Sequence, residues 1–362
     1  MIRLLALCLA LALWSPAHAL DTSAGPVSVT RMIAGLTQPW ALGFLPGGGV
    51  LVTERDGRLL LHRDGETRTV AGVPKVAAVG QGGLLDVLVP RDFAQTRTLF
   101  FTYAKPQPNG EGTAVARARL SRDGQRLENW RVLFELTPGS SGGRHFGSRL
   151  VEGEDGYLYA TIGERGDRPS AQDLSRENGS VIRIARDGTI PDDNPFTDTP
   201  GARPAIWSYG HRNPQGAARG PGGAVWVVEH GAKGGDEVNR IRRGANYGWP
   251  VISYGRHYSG AKIGEGTHKD GMEQPDFYWD PSIAPSGMMI YSGALWPEWR
   301  GHIFVGSLKF GLISHLAGAP LREVERLKSR ETARVRDIRE APDGSIWFLS
   351  VGNGAAYRLT PG

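Results

Sequence analysis

The amino-acid sequence predicts an all-β protein, a six-bladed β-propeller. Glycine and proline are abundant, with 51 and 24 of 362 residues, which is typical of many short strands joined by tight turns. Two strand patterns each recur six times in alternation, and no long amphipathic helix pattern interrupts them. Repeats of roughly 45–75 residues suit a propeller, because each blade buries its faces only against its neighbours.

The first repeated pattern is a glycine turn followed by an apolar, alternating strand. It occurs at residues 47–57, 97–104, 155–166, 222–231, 301–311 and 343–354. The second pattern is an alternating strand that ends in a turn, at residues 58–65, 114–124, 181–188, 237–244, 311–318 and 355–362. Together they predict one domain over residues 20–362, and we expect the segment Val27–Arg31 to complete a blade with the C-terminal strands.

The first nineteen residues have the features of an export signal. Arg3 precedes an apolar run from Leu4 to Trp14, which is too short to span a bilayer, and residues 17–19 read Ala-His-Ala. We expect export to the periplasm and cleavage near Ala19, with an uncleaved anchor as the alternative. No later apolar run approaches the length of a membrane span, so no membrane insertion is expected after signal removal.

Charge and cysteine content narrow the function classes. Cys8 is the only cysteine and lies in the signal segment, which excludes thiol nucleophiles and thiolate metal sites from the mature chain. Removal of Arg3 lowers the formal charge from +5 to +4, and the cations are scattered, so we expect no nucleic-acid partner and favour a small acidic ligand. The sequence contains no phosphate-binding loop and no HExxH motif, and no GxSxG elbow that joins a strand to a helix.

Polar residues in the long loops between repeats are the candidates for a site at the channel mouth. His145, in GGRHFGSRL, precedes a strand and suits a general base, although it could be an ordinary surface histidine. Arg212 and Asn213, in GHRNPQG, could receive a planar carboxylate or a quinone oxygen, or Arg212 could bind a loop carbonyl instead.

Two further motifs carry charge. The segment GAKGGDE at 231–237 offers backbone carbonyls and the carboxylates of Asp236 and Glu237, which suit Ca²⁺, although a turn with a solvated acidic pair remains possible. Lys309 follows a strand, and Arg334 and Arg336 alternate, which predicts that the two arginines share one face. A ligand with several carboxylates would relieve their repulsion, and solvated cations on an edge strand are the alternative.

Eleven colinear motifs resemble one family of enzymes. They read GQGGLLD, RHFGSRL, TIGERGD, GTIPDDNPF, IWSYGHRNPQG, EHGAKGGDEVN, NYGWP, EQPDFYW, PSGMMIY, GSLK and RVRDI, and they span nearly the whole mature chain. The chain is similar to the soluble pyrroloquinoline quinone (PQQ)-dependent sugar dehydrogenases, the family of the soluble glucose dehydrogenases and the sorbosone dehydrogenase-like proteins. It is most similar to the bacterial periplasmic aldose sugar dehydrogenase branch of that family.

The resemblance implies a role for each matching residue. The PQQ contacts would be Gln81, Arg212, Asn213, Tyr258, Lys309, Arg334 and Arg336. His145 would take the proton of the anomeric hydroxyl, with support from Glu164 and Arg212. One Ca²⁺ would bind PQQ and the carbonyls of Gly231 and Ala232, and a second, structural Ca²⁺ would use the region of Glu237 and Tyr247.

The chain also departs from the glucose-specific relatives. Glu164 stands where they carry aspartate, so the carboxylate that supports His145 has a longer reach, and Ala232 stands where a proline is common. The loops that shape the sugar pocket differ, which leaves the preferred sugar and the choice between a monomer and a weak dimer open.

The sequence thus predicts an aldose 1-dehydrogenase that passes electrons from PQQ to an unknown acceptor. Two alternatives are a calcium-dependent propeller lactonase, which would need a carboxylate-rich centre, and a non-catalytic propeller that binds a partner or a glycan. Uptake of PQQ would separate the dehydrogenase from both.

Overall fold

The computed structural model describes residues 18–362, and side chains from Leu20 onwards. The predicted signal segment of residues 1–19 lies almost wholly outside this part, so cleavage near Ala19 stays a prediction. Two strands open the described chain, β1 (His18–Thr22) and β2 (Gly25–Ile33). None of the helices in the described residues is long and apolar enough to cross a membrane.

Five four-stranded antiparallel sheets follow in chain order. The first contains β3 (Pro39–Phe44), β4 (Val50–Glu54), β5 (Leu59–Arg63) and β6 (Glu66–Val70). The second contains β7 (Leu84–Leu88), β8 (Thr98–Gln107), β9 (Gly110–Leu120) and β10 (Leu127–Glu135). The third contains β11 (Gly147–Glu152), β12 (Leu158–Ile162), β13 (Ser180–Ile184) and β14 (Ile206–Tyr209).

The fourth sheet contains β15 (Pro214–Arg219), β16 (Val225–Glu229), β17 (Asp236–Arg240) and β18 (Phe277–Trp279). The fifth contains β19 (Pro285–Ile290), β20 (Ile303–Ser307), β21 (Ile313–Ala317) and β22 (Arg322–Leu327). The sixth sheet combines β23 (Val335–Glu340), β24 (Ile346–Ser350) and β25 (Ala355–Pro361) with β2 and β1. The helices in this part are α1 (Phe93–Thr96) and three short 3-10 helices, Arg168–Gln172, Pro221–Gly223 and Pro297–Trp299.

The six sheets close into a ring, which confirms the predicted six-bladed propeller. The first strand of each blade contacts the first strand of the next blade, and β23 contacts β3 to close the circle. Closure depends on the N-terminal strand, because β2 pairs antiparallel with β25 from Val27 opposite Pro361 to Ile33 opposite Ala356. The prediction for Val27–Arg31 is therefore confirmed. The pairing of β2 with β25 covers one edge of each strand that would otherwise be exposed.

The apolar core lies between adjacent blades. Leu51 packs towards the second blade, whereas its neighbours Val50 and Val52 pack towards the sixth. β4, β12, β20 and β24 are buried along their whole length. Because successive side chains of a strand point to opposite faces, a strand buried on both faces is predominantly apolar and not alternating.

A network of buried charges crosses the centre of the ring. Arg149 on β11 contacts Asp86 on β7 and Asp337 on β23, in both cases with 3.1 Å between nitrogen and oxygen. Arg339 contacts the same two carboxylates at 2.9 and 3.1 Å. The Arg149 guanidinium also lies over the Trp40 ring of β3, 4.3 Å from its centroid. One pair of cations and one pair of anions thus joins three innermost strands, and the Trp40 ring adds β3 as a fourth.

Candidate active site

One end of the central channel opens into a cavity of about 530 Å³. Every blade begins with its innermost strand, so the loops that lead into these strands meet at the same end of the ring. The cavity is lined by Arg55, Gly80, Gln81, His145, Arg212, Asn213, Gln215, His230, Gly231, Ala232, Lys233, Tyr258, Ser282, Ala284, Leu308, Lys309, Arg334 and Arg336.

The structure brings ten of the thirteen predicted site residues to this cavity. They are Gln81, His145, Arg212, Asn213, Gly231, Ala232, Tyr258, Lys309, Arg334 and Arg336. Glu164 lies behind His145, and Glu237 and Tyr247 line a separate small cavity. The individual roles of these residues stay predictions.

His145 is held by two neighbours. Its Nδ1 lies 2.8 Å from Oε2 of Glu164, and its backbone N–H donates to Oε1 of Gln81 at 2.8 Å. Glu164 also accepts a hydrogen bond from the backbone N–H of Gly166, so the longer glutamate side chain does reach the histidine and is itself fixed. With Nδ1–H donated to Glu164, Nε2 is left as the proton acceptor of the ring.

The backbone at His145 is tightly constrained. Its φ is 54°, in the left-handed region. A Cβ on Gly163 would lie 2.0 Å from the carbonyl oxygen of His145, so only glycine allows the two segments to approach. Burial lowers the pKa of His145, the hydrogen bond to Glu164 partly opposes this, and the charge of Arg212 adds to the lowering. The imidazole is therefore neutral at pH 7, as a general base requires.

The cavity is strongly cationic. Its lining includes the cations Arg55, Arg212, Lys233, Lys309, Arg334 and Arg336 and no carboxylate. Among the described residues, none of the six forms a salt bridge. Burial, with the charges of Arg334, Arg149 and Arg55, lowers the pKa of Arg336 to about 9. Burial of unpaired cations such as Arg212 and Arg336 is costly, so the lining favours an anionic ligand.

The two arginines of the RVRD motif reach the cavity by different routes. Arg336 lies on β23 and donates from Nη1 to Oε1 of Gln215 at 2.8 Å. Arg334 precedes the strand with φ of 57°, and the pairing with β24 is irregular between Val335 and Asp337. The prediction that both arginines share the face of one regular strand is therefore wrong, although both side chains line the cavity.

Three buried nitrogen atoms at the cavity have no hydrogen-bond partner in the described chain. They are Nε of Arg212, Nδ2 of Asn213 and Nε2 of His230. Burial, followed by the charges of Arg212 and Arg336, lowers the pKa of His230 to about 3, so its ring is neutral. Unpaired buried donors are costly, which makes these atoms natural contacts for a polar ligand.

The Gly231–Gly235 turn brings backbone segments into close approach. Asp236, which the sequence offered as a possible ligand, instead accepts hydrogen bonds from the backbone N–H of Gly231 at 2.9 Å and Ile283 at 2.8 Å. A Cβ on Gly231 would lie 2.0 Å from the carbonyl oxygen of Gly234. No group of three or more acidic or histidine side chains is placed for metal binding within residues 18–362, so a cation here would depend on carbonyls and on a bound ligand.

The second predicted calcium region surrounds a cavity of about 10 Å³. Glu237 lies there, and burial together with the nearby Glu229 raises its pKa. The Tyr247 hydroxyl is already engaged, because it donates to the carbonyl of Arg240 at 2.6 Å and accepts from the N–H of Arg242 at 3.0 Å. Any ligand from Tyr247 would therefore have to be its backbone carbonyl.

Comparison with known proteins identifies the family. The family model described as glucose/sorbosone dehydrogenase matches residues 36–358. The chain belongs to this family. It is 42% identical to the aldose sugar dehydrogenase YliI of Escherichia coli strain K12, over 98% of this chain and 96% of that protein.

Two solved structures show the same fold. The soluble aldose sugar dehydrogenase of Escherichia coli in its apo-form has a TM-score of 0.88 and 41% identity, covering 93% of this chain and 100% of the other. The PQQ-bound aldose sugar dehydrogenase of Streptomyces coelicolor has a TM-score of 0.76 and 26% identity, covering 92% and 98%.

In this member of the glucose/sorbosone dehydrogenase family, five polar lining residues escaped prediction from the sequence. They are Arg55, Gln215, His230, Lys233 and Ser282. His230 and Lys233 flank the predicted Gly231–Ala232 pair and could have been included with it. Arg55 follows β4 in an ordinary turn, and Gln215 lies within a strand, so no local signal marks either residue.

Proposed function

We propose that this protein is a periplasmic, PQQ- and Ca²⁺-dependent dehydrogenase that oxidises aldoses at the anomeric carbon to lactones. The observation that carries the proposal is the cavity itself, where cations that have no salt-bridge partner in the described part of the chain surround a neutral histidine. PQQ carries three carboxylates, and the PQQ-bound relative shares 26% identity over 92% of this chain.

The residues present fit this cofactor. Arg212, Lys309, Arg334 and Arg336 would hold its carboxylates, and the unpaired nitrogens of Arg212, Asn213 and His230 would donate to its oxygens. Gln81 and Tyr258 would complete its surroundings. When bound, PQQ supplies a two-electron acceptor and Ca²⁺ a Lewis acid.

The protein side chains would accept the proton of the substrate and stabilise the charges that form. The anomeric hydroxyl would lose its proton to Nε2 of His145 while the hydride on the same carbon would pass to the two-electron acceptor that PQQ supplies, so that a C=O bond forms and the lactone results. Glu164 would keep Nδ1 protonated and stabilise the imidazolium that forms. The Arg212 guanidinium would stabilise negative charge that develops nearby. The electrons then pass to an acceptor that is not identified.

The calcium ions are part of the proposal. The carbonyls of Gly231 and Ala232 would bind the ion beside the cofactor, and Glu237 with the Tyr247 carbonyl would bind a structural ion. The pKa of Glu237, which burial and the charge of Glu229 raise, favours a bound cation beside this carboxylate.

Turnover by the purified apo-protein tests the function. Dye reduction across a panel of aldoses should require PQQ and Ca²⁺ together, with controls that lack each component. Saturable PQQ binding without turnover of any aldose would contradict the substrate class. Absence of PQQ binding would contradict the whole proposal and favour a lactonase or a binding module, although a lactonase centre should be rich in carboxylates and this cavity lining has none.

Arg336 provides a test of the cofactor site. Its guanidinium is fixed by Gln215 and has no carboxylate partner in the described chain. Replacing Arg336 by alanine should weaken PQQ binding about 10- to 100-fold, because a hydrogen bond to a charged group contributes roughly 1.5–3 kcal/mol. Titration of PQQ in the presence of Ca²⁺ measures this. Arg68→Ala on the exposed outer strand is the control, and wild-type affinity in Arg336→Ala would remove Arg336 from the site.

A further inference from the structure

The cavity has more positive charge than the cofactor can balance. This inference rests on the proposed function. Four of its six cations are assigned to PQQ, which brings three carboxylates, while the Ca²⁺ adds two positive charges. Arg55 and Lys233 then remain without a counter-charge, and neither has a salt-bridge partner within residues 18–362.

Arg55 and Lys233 differ in how they are held. The Arg55 guanidinium is held by hydrogen bonds to two neighbouring loops. It donates to the carbonyl oxygen of Gly82 at 3.1 Å, to the carbonyl oxygen of Gly80 and to the side chain of Gln38. The ammonium group of Lys233 has no hydrogen-bond partner in the described part of the chain. Lys233 is therefore the cation that remains available to a substrate.

The backbone places Lys233 firmly at the cavity mouth. The Lys233 N–H donates to the carbonyl of Arg256 at 3.1 Å, and the Gly235 N–H donates to the carbonyl of Trp279 at 2.9 Å. Gly231 is fixed by Asp236. The residue is exposed, yet its side chain lines the same cavity as His145. A fixed backbone thus carries a flexible ammonium group to the space where the sugar must lie.

We propose that the preferred substrates are aldoses that carry an anionic group away from the anomeric carbon, and that the Lys233 ammonium binds this group. A carboxylate, as in a uronic acid, and a phosphate, as in a sugar phosphate, share the required charge. Both are ionised at pH 7. Repulsion among unbalanced cations would disfavour the holoenzyme until such a substrate enters.

The test compares matched sugars on the PQQ- and Ca²⁺-loaded enzyme. We expect kcat/KM for glucuronate to exceed that for glucose about tenfold at low ionic strength, as for a charge-assisted contact, and the ratio to fall in salt. Glucose 6-phosphate forms the second arm and shows whether phosphate is accepted as well. Calorimetric titration of the loaded His145→Ala variant should show tighter binding of glucuronate than of glucose, independently of turnover.

Two lysine variants decide the role of Lys233. Lys233→Gln should remove most of the preference for the anionic sugar while glucose turnover changes little, and Lys233→Glu should reverse it. Lys328→Gln is the matched control, because Lys328 is exposed and does not line the cavity. Equal kcat/KM for glucose and glucuronate, or a preference for glucuronate that survives in Lys233→Gln, would overturn this inference but leave the dehydrogenase function intact. Absence of turnover with every aldose would overturn the dehydrogenase function on which it rests.

Discussion

Replacement of His145 by alanine is expected to lower kcat about a thousandfold, within the range that general bases contribute. The affinity for PQQ should change by less than about threefold, because the cations that would hold the cofactor remain. The expectation follows from the geometry, in which Glu164 fixes Nδ1 and leaves Nε2 to receive a proton. Steady-state dye reduction at saturating PQQ and Ca²⁺ measures kcat, and PQQ titration measures the affinity.

The pH profile of the same reaction provides an independent check. A base is active when deprotonated, and burial lowers the pKa of His145, so wild-type activity should fall only below the ordinary range of histidine as the pH decreases. Glu164 raises this pKa. In Glu164→Gln the acidic limb should therefore move to still lower pH, and the rate near pH 7 should fall about tenfold as the imidazolium loses its partner.

Two outcomes would contradict the assignment. One is a His145→Ala variant that keeps more than about a tenth of wild-type kcat, since a base in contact with the reacting proton contributes more than that. The other is an acidic limb that remains unchanged in Glu164→Gln. Loss of PQQ binding in His145→Ala would instead indicate a role in holding the cofactor.

The repeat pattern predicted the second and third strands of every blade but not the first. Strands such as β4 and β24 are buried over all their residues, so their sequences begin with apolar runs and are followed by clear glycine turns. The innermost strands carry charges that no single-strand pattern explains. Arg149 on β11 and Asp337 on β23 are buried only because the ring places each beside the other.

The candidate site likewise contains residues that the local sequence marks and residues that only the assembled ring brings together. His145, Arg212 and Asn213 stood out because glycine and proline turns isolate them in long loops. Arg55 lies in a short turn that could belong to any blade, and only closure of the ring brings it to the mouth beside Gly80. A contact between residues far apart in the chain depends on the assembled blades, which local sequence cannot report.

The central charge network should be essential to the stability of the ring. The Arg149 guanidinium contacts Asp86 and Asp337, and its Nε donates to the carbonyl of Gln215 at 3.1 Å. It therefore links β7, β11, β15 and β23. Removing one member of a buried ionic network leaves the other charges without compensation, and that penalty exceeds the net contribution of the intact pair.

Arg149→Leu is therefore expected to lower the free energy of unfolding by about 3–5 kcal/mol. Leucine keeps apolar contact with the Trp40 ring, so the loss reports mainly on Asp86 and Asp337, which would share Arg339 alone. Urea unfolding measures the change. Arg68→Leu is the control, because Arg68 pairs with Glu66 on an exposed outer strand and should cost no more than about 1 kcal/mol. An Arg149→Leu variant as stable as Arg68→Leu would show that Arg339 balances both carboxylates, and that packing between blades, not the central charges, holds the ring together.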